Sequence, residues 1–415
     1  MQTSTDTDNT APWQVPLGTD ASVADASFAV GDLSLIKDLV HAQAPARAMH
    51  PITFTGNGRE YFRIWIVNLC LSLATLGIYS AWAKVRRLQY FDRNTQLDGA
   101  VFNFHGNPKT ILRGRVLAVL LLFCYHYLFT LSKTVALVLF IIFLLGIPFM
   151  MRSAMQFRLR NTSFRGLRFD FNGKLTESYQ IYLPVALVFL LPGLIGVLYP
   201  QQKLYVGLAF LVYLAWPWLH ARMRIYQHGN LSYGKLESRC SLTGSAFGWS
   251  YFAAALSLIG FVTLVVIVSM ISMYSVKLFN PDAYKHYAND YGWLMALGVM
   301  AMVVVVYLIF LICGCFLQVK IWNKSWNATT FPGVQIHSTI PYFAYLRLQS
   351  KNLVLTLLSL GLYRPFAVIN VYQFRLAHIN LVADQFDQVL ASNVPQHGQA
   401  VGDGSADLFG FDLSW

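Results

Sequence analysis

The residues best suited to chemistry in this sequence are closely spaced bases, and the chemistry they suit is recognition of anions. Lys84, Arg86 and Arg87 form one block; Arg158 with Arg160, and Arg222 with Arg224, form two i, i+2 pairs at the ends of apolar segments. A guanidinium offers a planar fork of donors that matches the oxygens of a phosphate. A base beside an anionic lipid surface contributes about 1 kcal/mol of attraction. The plainer role of these residues is headgroup contact and orientation of the chain. The sharper expectation is that the arginines of equivalent units converge on one central basic pocket for an anionic ligand or lipid headgroup.

A second constellation is a matched pair of glycine-aromatic turns. Gly77, Tyr79 and Trp82 lie in Leu76-Gly77-Ile78-Tyr79-Ser80-Ala81-Trp82-Ala83; Gly361, Tyr363 and Phe366 lie in Leu360-Gly361-Leu362-Tyr363-Arg364-Pro365-Phe366-Ala367. Each follows an apolar helix, and the glycine breaks it. Broken helices from repeated units that meet within a membrane are a transporter pattern, so these turns are read as a gate or binding constriction. The alternative is aromatic packing at the lipid interface.

Other chemistries find no residues. The sequence has no Gly-rich loop ending in Gly-Lys-Ser/Thr, no His-Glu-x-x-His and no Gly-x-Ser-x-Gly. Its five cysteines include no CxxC pair. No catalytic residue, metal site or cofactor is expected, and the chain reads as a non-enzyme. The bases lie beside apolar runs, so anionic lipid accounts for them before nucleic acid does.

The elements that must position these side chains are membrane helices. Of 415 residues, 56% are hydrophobic and 12% charged, about half the charge of a soluble domain. Six segments, at 114–130, 134–150, 182–199, 204–219, 251–273 and 293–316, are long enough to span a bilayer. Shorter apolar segments at 62–79 and 353–369 flank them. Between Phe54 and Asn380 stand 29 Lys/Arg against 8 Asp/Glu, and the bases concentrate in alternate loops. One loop holds Arg152, Arg158, Arg160, Arg165, Arg168 and Lys174; the loops on the other side hold only Lys133, Lys203, Lys277 and Lys285. The positive-inside rule places the basic loops in the cytoplasm. No acid lies within an apolar segment, which argues against proton coupling.

Internal repeats organise the chain. Asn94-Thr95-Gln96-Leu97-Asp98-Gly99-Ala100-Val101-Phe102-Asn103-Phe104 matches residues Asn161 to Phe171; Asn230 to Leu236 is a shorter copy, and Asn327 to Ile336 a fourth with one insertion. A central Gly between alternating apolar residues predicts β-hairpins. Isolated hairpins are marginal, so the four should pack as a small cytoplasmic β layer. The unit is a helical hairpin then a β-hairpin, four times, closed by a fifth helical hairpin. The fold class is thus an α-helical polytopic membrane protein with six full spans and two re-entrant or short-spanning end hairpins. An acidic tail at 1–50, a membrane domain at 51–385 and an acidic tail at 386–415 complete it. Both tails are expected to be disordered, cytoplasmic and available to a protein partner.

The run from Phe54-Thr55-Gly56-Asn57-Gly58 through Thr75-Leu-Gly-Ile-Tyr-Ser-Ala-Trp-Ala-Lys-Val-Arg-Arg-Leu-Gln-Tyr90, then Arg93-Asn94-Thr95 and Phe102-Asn-Phe-His-Gly106, resembles the YjgN family of bacterial inner-membrane proteins over most of residues 52–385. The resemblance implies a multi-pass protein of the bacterial inner membrane and carries over no activity, substrate or site residue. The residues themselves favour a conduit for an anionic or lipid-like solute; the alternative is a lipid-binding scaffold that recruits partners without transport.

Overall fold

The computed structural model describes residues 48–131, 133–199, 201–279 and 292–383. The expected tails lie outside these residues, except that Ala48–His50 already belong to strand β1 (Ala48–Phe54), which begins before residue 51. After β1 come helices α1 (Gly58–Ala74) and α2 (Ser80–Arg93). Strands β2 (Thr95–Leu97) and β3 (Ala100–Phe104) precede α3 (Pro108–Leu131) and α4 (Lys133–Arg160). Strands β4 (Thr162–Phe164) and β5 (Leu167–Phe171) precede α5 (Leu175–Leu198), α6 (Lys203–Ala209), a 3-10 turn (Phe210–Ala215) and α7 (Trp216–Gly229). Strands β6 (Leu231–Tyr233), β7 (Leu236–Glu237) and β8 (Arg239–Cys240) precede α8 (Gly248–Phe279) and α9 (Gly292–Asn327). Strands β9 (Thr329–Phe331) and β10 (Val334–Ser338) precede α10 (Tyr342–Leu358), α11 (Arg364–Leu376) and β11 (Ile379–Ala383).

The four expected β-hairpins form, and local chemistry explains their turns. Leu97 pairs with Ala100 and Phe164 with Leu167, leaving two-residue loops. Both residues of each loop have positive φ: Asp98 50° and Gly99 73°, Arg165 45° and Gly166 82°. That is the primed turn whose twist suits an antiparallel pair. The hairpins join one sheet in the order β7-β6-β5-β4-β3-β2-β1-β11-β10-β9-β8. Its two end strands are separated in the chain only by Ser238, so the sheet returns to its start and closes into a ring. The expected layer of four hairpins therefore has a fifth member, made by the two ends of the domain: Ala48 pairs with Ala383 and Pro51 with Asn380.

Closure gives the ring an inside. Leu97, Phe164, Tyr233, Val334 and Ala383 are buried together there, each from a different hairpin, with Ile52, Phe102, Phe169 and Leu381 packed around them. Each short hairpin alone would leave these groups in water. Burial of apolar surface from all five holds the ring.

A Phe-x-Gly step leads from the sheet to the first helix of three units. A Cβ on Gly56, Gly106 or Gly173 would lie 2.4 Å from the ring of Phe54, Phe104 or Phe171 respectively, and at Gly173 also 2.7 Å from the Tyr226 ring. Gly173→Ala is expected to cost about 1–3 kcal/mol through overpacking, read as a lower thermal midpoint of the purified protein in detergent.

The helices form a second ring above the strands. Within each hairpin the two helices pack on one another, and α2 packs on α3, α4 on α5, α7 on α8, α9 on α10 and α11 on α1. The last contact joins the end hairpins, with Phe62 stacked on Phe366 at 5.6 Å. Five helical stretches among the described residues are long and apolar enough to cross a membrane: Leu137–Arg160, Leu175–Gly196, Lys203–Gly229, Gly248–Ile271 and Met300–Asn327. The sixth expected segment, 114–130, is helical within α3. The segment expected at 204–219 extends to Gly229 and is not uniform: a 3-10 stretch interrupts it before Pro217, at the first turn of α7.

The end hairpins turn at the two expected points. The Gly77 N–H donates to Ser72 O at 2.7 Å and the Leu76 N–H to Leu73 O at 3.2 Å; Gly361 and Leu360 repeat this with Thr356 O (2.8 Å) and Leu357 O (3.1 Å). This is the Schellman pattern, with a leucine at the left-handed position in both copies, φ 49° and 50°. Leucine is disfavoured there by about 1–2 kcal/mol, yet Leu76 and Leu360 are 96% and 94% exposed. The turns also accept and donate internally: Thr75 Oγ1 takes the Tyr79 N–H and Ser359 Oγ the Tyr363 N–H. Backbone groups satisfied within the turn tolerate an apolar medium.

Candidate functional site

The second helix of every hairpin runs straight into the first strand of the next β-hairpin, so five helix ends meet above the closed sheet. The residue four before each of those strands is Phe91, Arg158, Gln227, Ser325 or Arg375. Three of these ends share one hydrogen bond, from the first threonine Oγ1 of the strand back to that residue's carbonyl: Thr95 to Phe91 (2.8 Å), Thr162 to Arg158 (2.9 Å) and Thr329 to Ser325 (2.7 Å). The same register therefore brings chemically different side chains to one level, and together they make a buried polar belt.

One arc of the belt is an ion pair. Arg158 Nη2 donates to Asp92 Oδ1 at 2.9 Å, with the side chains 23% and 6% exposed. Thr162 Oγ1 lies 3.4 Å from Asp92 Oδ2, and the guanidinium lies 5.4 Å from the Phe104 ring centroid. Burial pushes the Asp92 carboxyl above its ordinary range, and the Arg158 charge and hydrogen bond pull only part of the way back. Thr95 Oγ1 and Tyr372 OH, 3.0 Å apart, link this arc to α11.

The other arc carries positive charge without a carboxylate. Arg375, one helical turn after Tyr372, donates from Nη2 to Tyr345 OH at 2.9 Å and lies 4.6 Å over the Trp322 ring. Arg224 donates from Nη1 to Gln227 Oε1 at 3.3 Å, and Gln227 Nε2 donates to Tyr182 OH at 3.1 Å. Arg224 and Arg375 lie near enough to interact electrostatically. No ion pair of either arginine occurs among the described residues. Further round, His228 Nδ1 lies 3.1 Å from Thr329 Oγ1, and the His228 ring meets Trp326 edge-on at 4.8 Å. Four polar atoms of the belt are buried without a partner among the described residues: Arg158 Nη1, Arg224 Nε, Trp322 Nε1 and Ser325 Oγ. All four are donors, and leaving such groups unfilled costs about 1–3 kcal/mol each.

The structure divides the arginines expected to converge. Arg158 and Arg224 turn into the belt. Arg160 pairs outward with Asp170 at 2.7 Å, and Arg222 lies over Trp218 at 4.8 Å and lines an open cleft with Glu177, Gln180, Asn230 and Arg239. Residues two apart on a helix project about 200° apart, so neither pair can act as one fork. The Lys84, Arg86, Arg87 block is also outside the belt: Arg86 is exposed and reaches Tyr79 OH at 3.2 Å, and Arg87 lies 5.8 Å from the Phe91 ring within its own helix. Arg375, Asp92, Trp322 and Ser325 complete the belt, and none was evident as a site residue from local spacing. The signal available for Arg375 was its register, four residues before a strand, as for Arg158.

The turn aromatics do not make a shared constriction. Tyr79 stacks with Trp82 at 6.2 Å and Tyr363 with Phe366 at 5.5 Å, each within its hairpin. Trp82 packs toward the next unit against Ala81, Phe104 and Ile111, while Phe366 packs back on Phe62 and Gly58 of α1. Gly77 and Gly361 keep their turn role through positive φ, 90° and 91°.

Comparison with known proteins finds relatives in the bacterial inner membrane. A family model described as "Bacterial protein of unknown function (DUF898)" matches residues 49–408. The inner membrane protein YjgN of Salmonella typhimurium is 32% identical over 147 residues, 34% of this chain and 36% of that protein. Its namesake in Escherichia coli K12 is 31% identical over 144 residues, 33% of this chain and 35% of that protein. The match thus spans about a third of the length of these curated relatives. No solved structure matches.

Proposed function

The chain belongs to the DUF898 family, whose curated relatives matched here are YjgN inner membrane proteins, and from that premise we propose that it is a non-enzymatic inner-membrane conduit for an anionic or lipid-like solute. The observation that carries the reading is the polar belt: among the described residues, three arginines, Arg158, Arg224 and Arg375, against one carboxylate, Asp92, enclosed where a ring of apolar helices meets a closed sheet. Buried, underneutralised charge at the edge of a membrane is costly and is retained for function. The sheet and both ends of the domain lie on the cytoplasmic side in this reading, because the strands occupy the basic loops.

The path does not follow the ring axis through the sheet, since Leu97, Phe164, Tyr233, Val334 and Ala383 fill it. It leaves sideways. The seam between the last and first units is held by α11 on α1 and β11 on β1 without a covalent link. The exposed leucine turns of the two short hairpins stand at that seam. With α1 and α10 at 17 residues each, about 26 Å, these hairpins enter the hydrocarbon from the cytoplasmic face, turn and return, and rocking about them opens the belt to lipid.

A cross-link tests this. Ala48 and Ala383 are direct partners, so Ala48→Cys with Ala383→Cys places two thiols across the seam at disulfide range. In liposomes, flux of a fluorescent anionic lipid or small organic phosphate should fall at least about tenfold in the oxidised variant and return with dithiothreitol. Unchanged flux in the locked form removes the seam from the mechanism. Wild-type flux equal to that of empty liposomes removes the conduit and leaves the second reading, an anionic-lipid-binding scaffold, which the filled sheet interior favours.

A further inference from the structure

We propose that Arg224, Arg375, Trp322 and Ser325 form a binding site for a phosphate group, presented either as free phosphate or as a phospholipid headgroup. This deepens the proposed function by naming the ligand class, and it rests on the same polar belt.

The site is built from three helices that meet only in the folded ring. Arg224 comes from α7, Trp322 and Ser325 from one turn of α9, and Arg375 from α11. Arg375 is fixed at both ends of its reach, donating to Tyr345 OH at 2.9 Å and covering the Trp322 ring at 4.6 Å. Tyr345 is itself held by Gln318 (2.8 Å) and Gln349 (3.0 Å). The arginine is therefore positioned before any ligand arrives, which removes much of the ordering cost of binding.

Three donors in this group have no acceptor among the described residues: Arg224 Nε, Trp322 Nε1 and Ser325 Oγ. Ser325 is 2% exposed. Buried donors of native proteins are otherwise almost always filled. Trp322 lies under the Arg375 guanidinium, Ser325 is one turn further along the same helix, and Arg224 interacts electrostatically with Arg375; neither guanidinium has a carboxylate partner among the described residues. A group that fills these donors is an acceptor, and one that also answers both guanidinium groups carries negative charge and offers oxygens in several directions. A carboxylate presents two coplanar oxygens and suits one bidentate fork. A tetrahedral oxyanion reaches two arginines, an indole N–H and a hydroxyl from different sides. The indole accepts no hydrogen bond at its nitrogen, so a cationic or donor-rich ligand is disfavoured at the same place.

The experiment uses the full chain in maltoside micelles, titrated calorimetrically with inorganic phosphate and, separately, with short-chain phosphatidylglycerol in phosphate-free, low-chloride buffer. Saturable binding with one site per chain is expected. Arg224→Gln and Trp322→Phe should each weaken it at least about tenfold, the loss of a hydrogen bond to a charged group; Arg160→Gln and Arg222→Gln, on the outer face, should leave it within about twofold. Arg224→Lys keeps the charge and loses the fork, so it should retain the thermal midpoint and still bind more weakly. Tighter binding of the lipid than of phosphate assigns the headgroup as the source, and equal binding assigns the free anion. Absence of saturable binding in folded wild-type protein overturns the site, and so does binding unaffected by Arg224→Gln and Trp322→Phe. The measurement is independent of flux: binding without flux keeps the site and discards the conduit, while wild-type flux without saturable binding does the reverse.

Discussion

Asp92→Ala is expected to destabilise the protein by about 3–5 kcal/mol, the usual result of removing one member of a buried ion pair. The cost arises less from lost attraction than from what stays behind. Arg158 would keep its charge among the Phe104 ring, the strand backbone and a polar belt that already holds Arg224 and Arg375. Its Nη1 has no partner even now, and the substitution would strip Nη2 as well. Asp92→Asn should be milder. Burial already favours the neutral form of the Asp92 carboxyl relative to a free one, and the amide oxygen still accepts from Arg158. The double variant Asp92→Ala with Arg158→Met should recover much of the loss, because it leaves no buried charge. Thermal or denaturant unfolding of the four proteins in detergent checks this order. Equal midpoints for Asp92→Ala and wild type would mean that solvent reaches the pair.

Phe164→Ala is expected to cost a similar amount, about 3–5 kcal/mol, by opening a void at the centre of the closed sheet. Phe164 is 3% exposed and stacks on Phe102 at 4.7 Å, with Tyr233 at 6.2 Å. Its neighbours come from several hairpins, so the loss should spread round the ring rather than melt one hairpin. Hydrogen exchange distinguishes the outcomes. A closed ring predicts faster exchange at the β1–β11 seam as well as at β4 and β5. A row of independent hairpins would confine the change to β4, β5 and their direct partners. Leu→Ala at Leu76, by contrast, should leave exchange in the sheet unchanged, because that turn lies at the far end of its hairpin and 96% of Leu76 is exposed.

Repetition made much of the fold legible. Asn-apolar-Gly steps recur after basic helix ends, and the structure places a two-residue turn at each: Asp98-Gly99, Arg165-Gly166, Gly234-Lys235 and Pro332-Gly333. The turns at Leu76-Gly77 and Leu360-Gly361 were equally readable, since a glycine after an apolar helix needs only local backbone geometry. The site was legible to a lesser degree. Arg158 and Arg224 belong to it and their neighbours Arg160 and Arg222 do not, although all four share the same spacing and flanking sequence. Helical periodicity says that members of such a pair face opposite ways; it does not say which way is inward. Gln227, Arg158 and Arg375 share a register that becomes meaningful only when the strand starts are known.

The amino-acid sequence alone determined the apolar helices, the basic face, the hairpin turns and the repeat that orders them, because each depends on interactions within a few residues or on transfer of a segment between water and lipid. Tertiary structure decided the rest. Ala48 meets Ala383, Asp92 meets Arg158 and Arg375 meets Trp322 because the ring closes. Contacts between residues that distant in the chain follow from the summed packing of all five units, which no single stretch encodes.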